Sequence, residues 1–217
     1  MKTLCLLVFL VWSSTLVHAQ GFLSESSKQI FTSPQLPKQI RTHQTVAILP
    51  VEAKITYAKL PKNFNAKVHQ EQEARLGQNI QKSLYTYFAR RVKSYSVTFQ
   101  DVDKTNALLE QAGMYGNLKN FTPDQMAQAL GVDAVLNGKF DLEQTQADGS
   151  AFVTAVMRRD YVGKTGLGSL TLMLYHGQNG ELLWRFFKIV DDDFTAANKE
   201  LVERLMRKVS RNLPYSI

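Results

Sequence analysis

The sequence predicts an α/β fold: one domain in which a mixed β-sheet is covered by helices, as a two- or three-layer sandwich. Three observations predict it. A strand–helix–strand succession opens the chain after position 45. Near position 131 a helix stops on glycine and turns at once into a buried strand. A strand hairpin around Gly177–Gly180 then leads to a last amphipathic helix. Alternating helices and strands, with adjacent strands in the middle, imply a mixed sheet between helical layers.

The first segment, MKTLCLLVFLVWSSTLVHA, has one early charge, Lys2, then an apolar run from Leu4 to Trp12. It closes on Val17-His18-Ala19. Residues 1–19 read as a secretory signal peptide, too short to span a bilayer, cut between Ala19 and Gln20. The single cysteine, Cys5, precedes most of the apolar run, so it is no lipidation site. The chain after the cut holds no cysteine, hence no disulfide, thiolate ligand or cysteine nucleophile. Removing the segment takes only Lys2 from a net charge of +7, leaving +6. A basic exported chain is expected to meet anionic partners, and export argues against nucleic acid. Localisation is expected in the periplasm or peripheral to the outer membrane.

Residues 20–44 are polar with two prolines and read as a tether. The domain, 45–217, begins with the buried strand Thr45-Val46-Ala47-Ile48-Leu49-Pro50. Residues 51–70 read as a long loop containing Pro61, Asn63 and Asn65. Leu76, Ile80, Leu84 and Phe88 recur every four residues and predict an amphipathic helix over about 73–92. Residues 95–102 alternate and read as a strand. TNALLEQAG reads as a short helix closed by Gly113.

Thr122-Pro123-Asp124-Gln125 combines an N-cap, a proline at the first helical position and a glutamine placed for a capping box. Gly131 supplies a left-handed stop. A strand from 132 to 140 follows directly. Further strands are expected at 150–157, 169–176 and 181–190, the last two joined by the turn Gly177-Gln178-Asn179-Gly180. Leu170, Leu172 and Leu174 share one face; Leu182, Trp184 and Phe186 share a face of the partner. A helix from about Thr195 to Asn212 ends the domain, with Leu201, Val202, Leu205, Met206 and Val209 inward.

No catalytic, cofactor or metal constellation emerges. Gly163-Lys164-Thr165 ends like a phosphate-binding loop, but the required first glycine is replaced by Arg158, and a strand rather than a helix follows. His43, His69 and His176 stand alone in the sequence, without metal-like spacing, and read as separate surface histidines. Asp191-Asp192-Asp193 lacks the glycine and distal glutamate of a calcium loop and reads as a helix entry. Glu71 and Glu73, two apart, point apart on a helix surface. Asn120-Phe121-Thr122 matches a glycosylation sequon, but Thr122 has the capping role. What remains is a basic loop, with Arg158, Arg159, Tyr161 and Lys164 as the candidate partner-binding residues for an anionic surface or protein.

Three stretches together, TVAILP, MAQALGVDAVLNGKF and SLTLMLYHGQNGELLW, resemble the bacterial envelope superfamily that includes the curli-secretion channel protein CsgG and the penicillin-binding-protein activator LpoB. The resemblance covers residues 45–212. It implies a sandwich similar to the TolB N-terminal type and a non-enzymatic envelope accessory protein acting by protein–protein contact. Its partners would be envelope proteins, with homo-oligomerisation a further option. Relatives are often lipoproteins, whereas this chain lacks the lipidated cysteine. The alternatives are an oligomeric outer-membrane pore or secretion component, whose first membrane hairpin would fall within 141–168, and an enzyme of unrecognised type.

Overall fold

The computed structural model describes residues 28–144, 166–190 and 205–217. The predicted signal peptide, the strand expected at 150–157 and Asp191-Asp192-Asp193 lie outside them. The fold is a single α/β domain built on one seven-stranded mixed sheet, in the order β1-β7-β6-β5-β2-β4, with β3 also paired to β5. Helices lie against both faces, so the sandwich has three layers.

Part of the stretch expected as a polar tether joins the sheet. β1 (Lys28–Thr32) pairs antiparallel with β7 (Leu182–Val190), and Ser33 donates its N–H to the Leu183 carbonyl at 2.8 Å. Leu36, at the start of the short helix α1 (Leu36–Gln39), is buried in the main core. The edge strand was not visible in sequence because all five of its residues are exposed, which leaves no buried face to set a period.

β2 (Thr45–Ile48) runs parallel to β5 (Ala134–Gln144), pairing with Ala134–Leu136. The expected loop at 51–70 is largely replaced by regular structure. β3 (Glu52–Tyr57) resumes parallel pairing along the other half of β5, from Lys139 to Gln144. β2 and β3 are thus two halves of one strand path, interrupted near Pro50, which cannot donate to a ladder. The interruption is packed closely: a Cβ on Gly138 would lie 2.9 Å from Val51 Cγ2, and one on Gly77 would lie 2.0 Å from the Val51 carbonyl oxygen.

α2 (Ala66–Ala89) starts seven residues earlier than its apolar period predicts. Asn65 caps it, its Oδ1 accepting from the N–H groups of Lys67 and Val68 at 3.0 and 3.1 Å. The first turns are exposed and polar, so no apolar stripe marks them. The strand expected at 95–102 shrinks to β4 (Thr98–Phe99), parallel to β2, plus a single bridge from Tyr95 to Ser216. Asp101 leaves the strand to cap α3 (Val102–Gln111), accepting from Asp103 and Lys104 N–H.

α4 (Pro123–Leu130) forms with the capping box between Thr122 and Gln125, and Gly131 ends it at φ 64°. β6 (Gly166–His176) and β7 form the hairpin, with Gly180 at φ 68° in the turn. Leu170, Leu172, Leu174, Trp184 and Phe186 are buried on one face, as expected. Leu182 is not with them. A register shift between Leu174 and Tyr175 puts Leu182 opposite Tyr175 and lets Leu183 enter the core instead. An extra residue in one strand of a pair reverses the side-chain alternation beyond it.

On this face Leu84, Tyr87 and Phe88 of α2 pack with Met206, Val209, Leu213 and Tyr215 of the C-terminal segment, which is helical at 205–210. On the other, Leu109 of α3 and Met126, Ala127 and Leu130 of α4 cover Ala47, Leu49 and Val135. Alternate β2 residues serve opposite layers, which explains why that strand reads as a continuous apolar run.

Candidate functional site

Arg158, Arg159, Tyr161 and Lys164, the candidate partner-binding residues, lie outside the described residues, as do Ala19 and Gln20. The strands on either side of that loop are described. Gln144 pairs with Gly166, and Tyr57 at the end of β3 pairs with Gln144. The described parts of β5 and β6 thus end at Gln144 and Gly166, with Gln144 beside Tyr57.

Two clusters of chemistry-bearing side chains are built by the fold, at opposite ends of β5. The first contradicts the reading of separate surface histidines. His43, just before β2, and His176, at the end of β6, are 4% and 5% exposed. His43 Nε2 lies 2.9 Å from His176 Nδ1, and His43 Nδ1 lies 2.5 Å from the Tyr215 hydroxyl. The imidazole rings are stacked, with centroids 5.0 Å apart. Burial, and after it the charge of Asp133, pushes the Tyr215 ionisation far up, so its hydroxyl keeps its proton. Among the described residues His43 is the hydroxyl's hydrogen-bond partner, so Tyr215 is assigned as donor to His43 Nδ1. His43 then carries its own proton on Nε2 and donates to His176 Nδ1.

Burial, then His176, lowers the His43 pKa to about 4, while Asp133 pulls the other way. Asp133 is committed elsewhere: its Oδ2 accepts from Gln44 and Thr45 N–H at 2.8 and 2.9 Å. A base that weak, enclosed and already hydrogen-bonded on both nitrogens is poorly placed for proton transfer at neutral pH. The cluster joins the start of β2, the end of β6 and the C-terminus.

The second cluster stands at the other end, where β3 runs into α2. Phe64 packs edge-on against Tyr57 with centroids 6.2 Å apart, and His69 leans on both rings at 5.3 and 5.2 Å. His69 Nε2 reaches Glu73 Oε1 at 3.2 Å, and that same oxygen accepts the Ile55 N–H at 2.8 Å. Glu73 thus fastens α2 to the free edge of β3, while Glu71 turns to Arg75. The two acids point apart, as their spacing implies. The connecting turn is closed by Phe64 N–H to the Pro61 carbonyl at 3.1 Å.

On this frame stand Leu60, Phe64 and Val68, exposed by 62%, 40% and 49%. Lys59, Lys62 and Lys67 are exposed among them. Between Glu52 and Glu71 the chain holds Lys54, Lys59, Lys62 and Lys67 and no acid. None of these lysines forms an ion pair among the described residues. The tip thus carries exposed apolar side chains among exposed lysines. Sequence reasoning passed over it as loop; the signal that could have found it is the acid-free run of lysines interleaved with Leu60, Phe64 and Val68.

Among the described residues, no group of three or more His, Cys, Asp or Glu is placed to hold a metal ion. Nor is any helix there long and apolar enough to cross a membrane.

No family model matches the sequence, and no curated protein matches it either. Solved structures do. The chain is similar to the PelC dodecamer from Paraburkholderia phytofirmans at 12% identity, covering 88% of this chain and 98% of that one, with a TM-score of 0.42. It is similar to the lipoprotein GNA1162 from Neisseria meningitidis at 14% identity, covering 78% and 98%, TM-score 0.38. It is also similar to the LpoB C-terminal domain from Salmonella enterica at 15% identity, covering 73% and 94%, TM-score 0.33.

Proposed function

We propose that this protein is an exported, non-enzymatic accessory protein of the cell envelope, acting through contact with envelope proteins in the periplasm or at the outer membrane. The observation that supports the reading is where the three family-like stretches fall. TVAILP forms β2, MAQALGVDAVLNGKF forms α4, Gly131 and most of β5, and SLTLMLYHGQNGELLW forms β6, its turn and the start of β7. These are the adjacent central strands β2-β5-β6-β7. The stretches that resemble the envelope superfamily are therefore one contiguous scaffold rather than scattered matches.

Fractionation combined with a photo-crosslinking residue at position 159 tests it. The expected result is a processed chain in the envelope fraction with one discrete protein adduct. A chain retained in the cytoplasm, or an envelope chain without a protein adduct from position 159, overturns the reading.

A further inference from the structure

The tip where β3 meets α2 combines exposed apolar side chains with exposed lysines. Three large apolar side chains, Leu60, Phe64 and Val68, project within nine positions of one another. Single exposed apolar residues are ordinary, but a cluster of them marks a contact site. Polar cover would be cheap here. Instead the intervening positions are Lys59, Lys62 and Lys67, all exposed and without ion-pair partners among the described residues.

The electrostatics point the same way. The first turn of α2 contains no acidic residue, and Lys67 stands in it. A cation there opposes the positive end of the helix dipole and is unfavourable. An anion supplied from outside would reverse that cost. The tip is also held in shape. The Asn65 cap, the Pro61–Phe64 turn and the Tyr57–Phe64–His69 packing fix the backbone beneath the projecting side chains. Apolar groups flanked by lysines on a fixed projection match an interface with acyl chains below and acidic headgroups around.

We propose that this tip docks on an anionic phospholipid surface, Leu60, Phe64 and Val68 entering the headgroup–acyl boundary and Lys59, Lys62 and Lys67 meeting the lipid phosphates. The site stands apart from the protein-contact reading, because it requires only the purified chain and lipid.

The test is sedimentation of the processed protein, as purified from cells, with vesicles of phosphatidylglycerol mixed into phosphatidylcholine, against phosphatidylcholine alone. Binding is expected to the acidic vesicles and to weaken as salt rises from about 0.1 to about 0.5 M. Lys59→Gln, Lys62→Gln and Lys67→Gln together should lower partitioning on the order of 100-fold, about fivefold per lysine. Leu60→Ser with Val68→Ser should lower it at unchanged charge. Arg90→Gln, Lys93→Gln and Lys119→Gln, exposed and elsewhere, remove the same charge and should change it little. A thermal melt matching the parent shows that each variant is folded. Equal loss in that control set, parent-like binding by the tip variants, or equal binding to neutral vesicles overturns the proposal. So does no vesicle binding at all, including the case in which the tip instead crosslinks to an acidic protein.

Discussion

Burial, then the neighbouring His176, holds His43 down to a pKa of about 4, against the pull of Asp133. An unfolded chain would protonate the same imidazole near pH 6.5. Between those values the unfolded state holds a proton that the folded state does not, so stability rises with pH. The contribution is fully present above about pH 6.5 and is lost as pH falls toward 4. Urea unfolding should therefore show a loss on the order of 1–3 kcal/mol from this group between pH 7 and 4. His43→Asn should flatten that part of the profile while lowering stability throughout; an unchanged slope would assign the acid sensitivity elsewhere. None of this was legible in the sequence. His43 meets His176 across 133 positions and Tyr215 across 172, and no local pattern records a contact at that range. His69 is different: its partner Glu73 is one helical turn away, yet its aromatic neighbours come from the preceding turn and strand.

Elements whose signals are local were legible, apart from the register shift that displaces Leu182 in the hairpin. α4 carries its start in Thr122 and Gln125 and its stop in Gly131, and it forms between those residues. The β6–β7 hairpin likewise carries its turn in Gly177–Gly180. Elements defined by a neighbour were not. β3 exists because β5 runs on past β2 and offers it an edge, and α2 crosses there because Gly77 has no side chain. Gly77→Ala would place a Cβ 2.0 Å from the Val51 carbonyl oxygen. Backbone must move to admit it, so a loss of roughly 3 kcal/mol or more is expected in denaturant titration, despite alanine's better helix propensity. Gly113→Ala, at φ 68° with open space around it, should cost only about 1 kcal/mol. Similar losses for the two would remove the packing argument.

At the scale of the whole molecule the two ends of the sheet are treated differently. β1 closes one side as an exposed edge strand. On the other side the C-terminus returns to the strand region before β4: Ser96 donates to the Tyr215 carbonyl at 2.9 Å, and Ile217 to the Ser94 carbonyl at 3.0 Å. Leu213 and Tyr215 are 3% and 1% exposed in the main core. A chain ending at Asn212 loses both core side chains, those backbone bonds and the hydroxyl that satisfies His43. Its melting temperature should fall by roughly 10 °C or more, and a fall of only a few degrees would show the tail to be dispensable. By itself the sequence determined the α/β class, the central strands, α4 with its caps and the hairpin, because period, capping residues and turn glycines act over a few positions. Only the tertiary structure decided the rest. It recruited the supposed tether as β1, split the first strand path into β2 and β3, buried two histidines under Tyr215, and raised Leu60, Phe64 and Val68 among lysines at the opposite end. Those outcomes depend on which distant segments meet, and burial and hydrogen bonding across the sheet settle that.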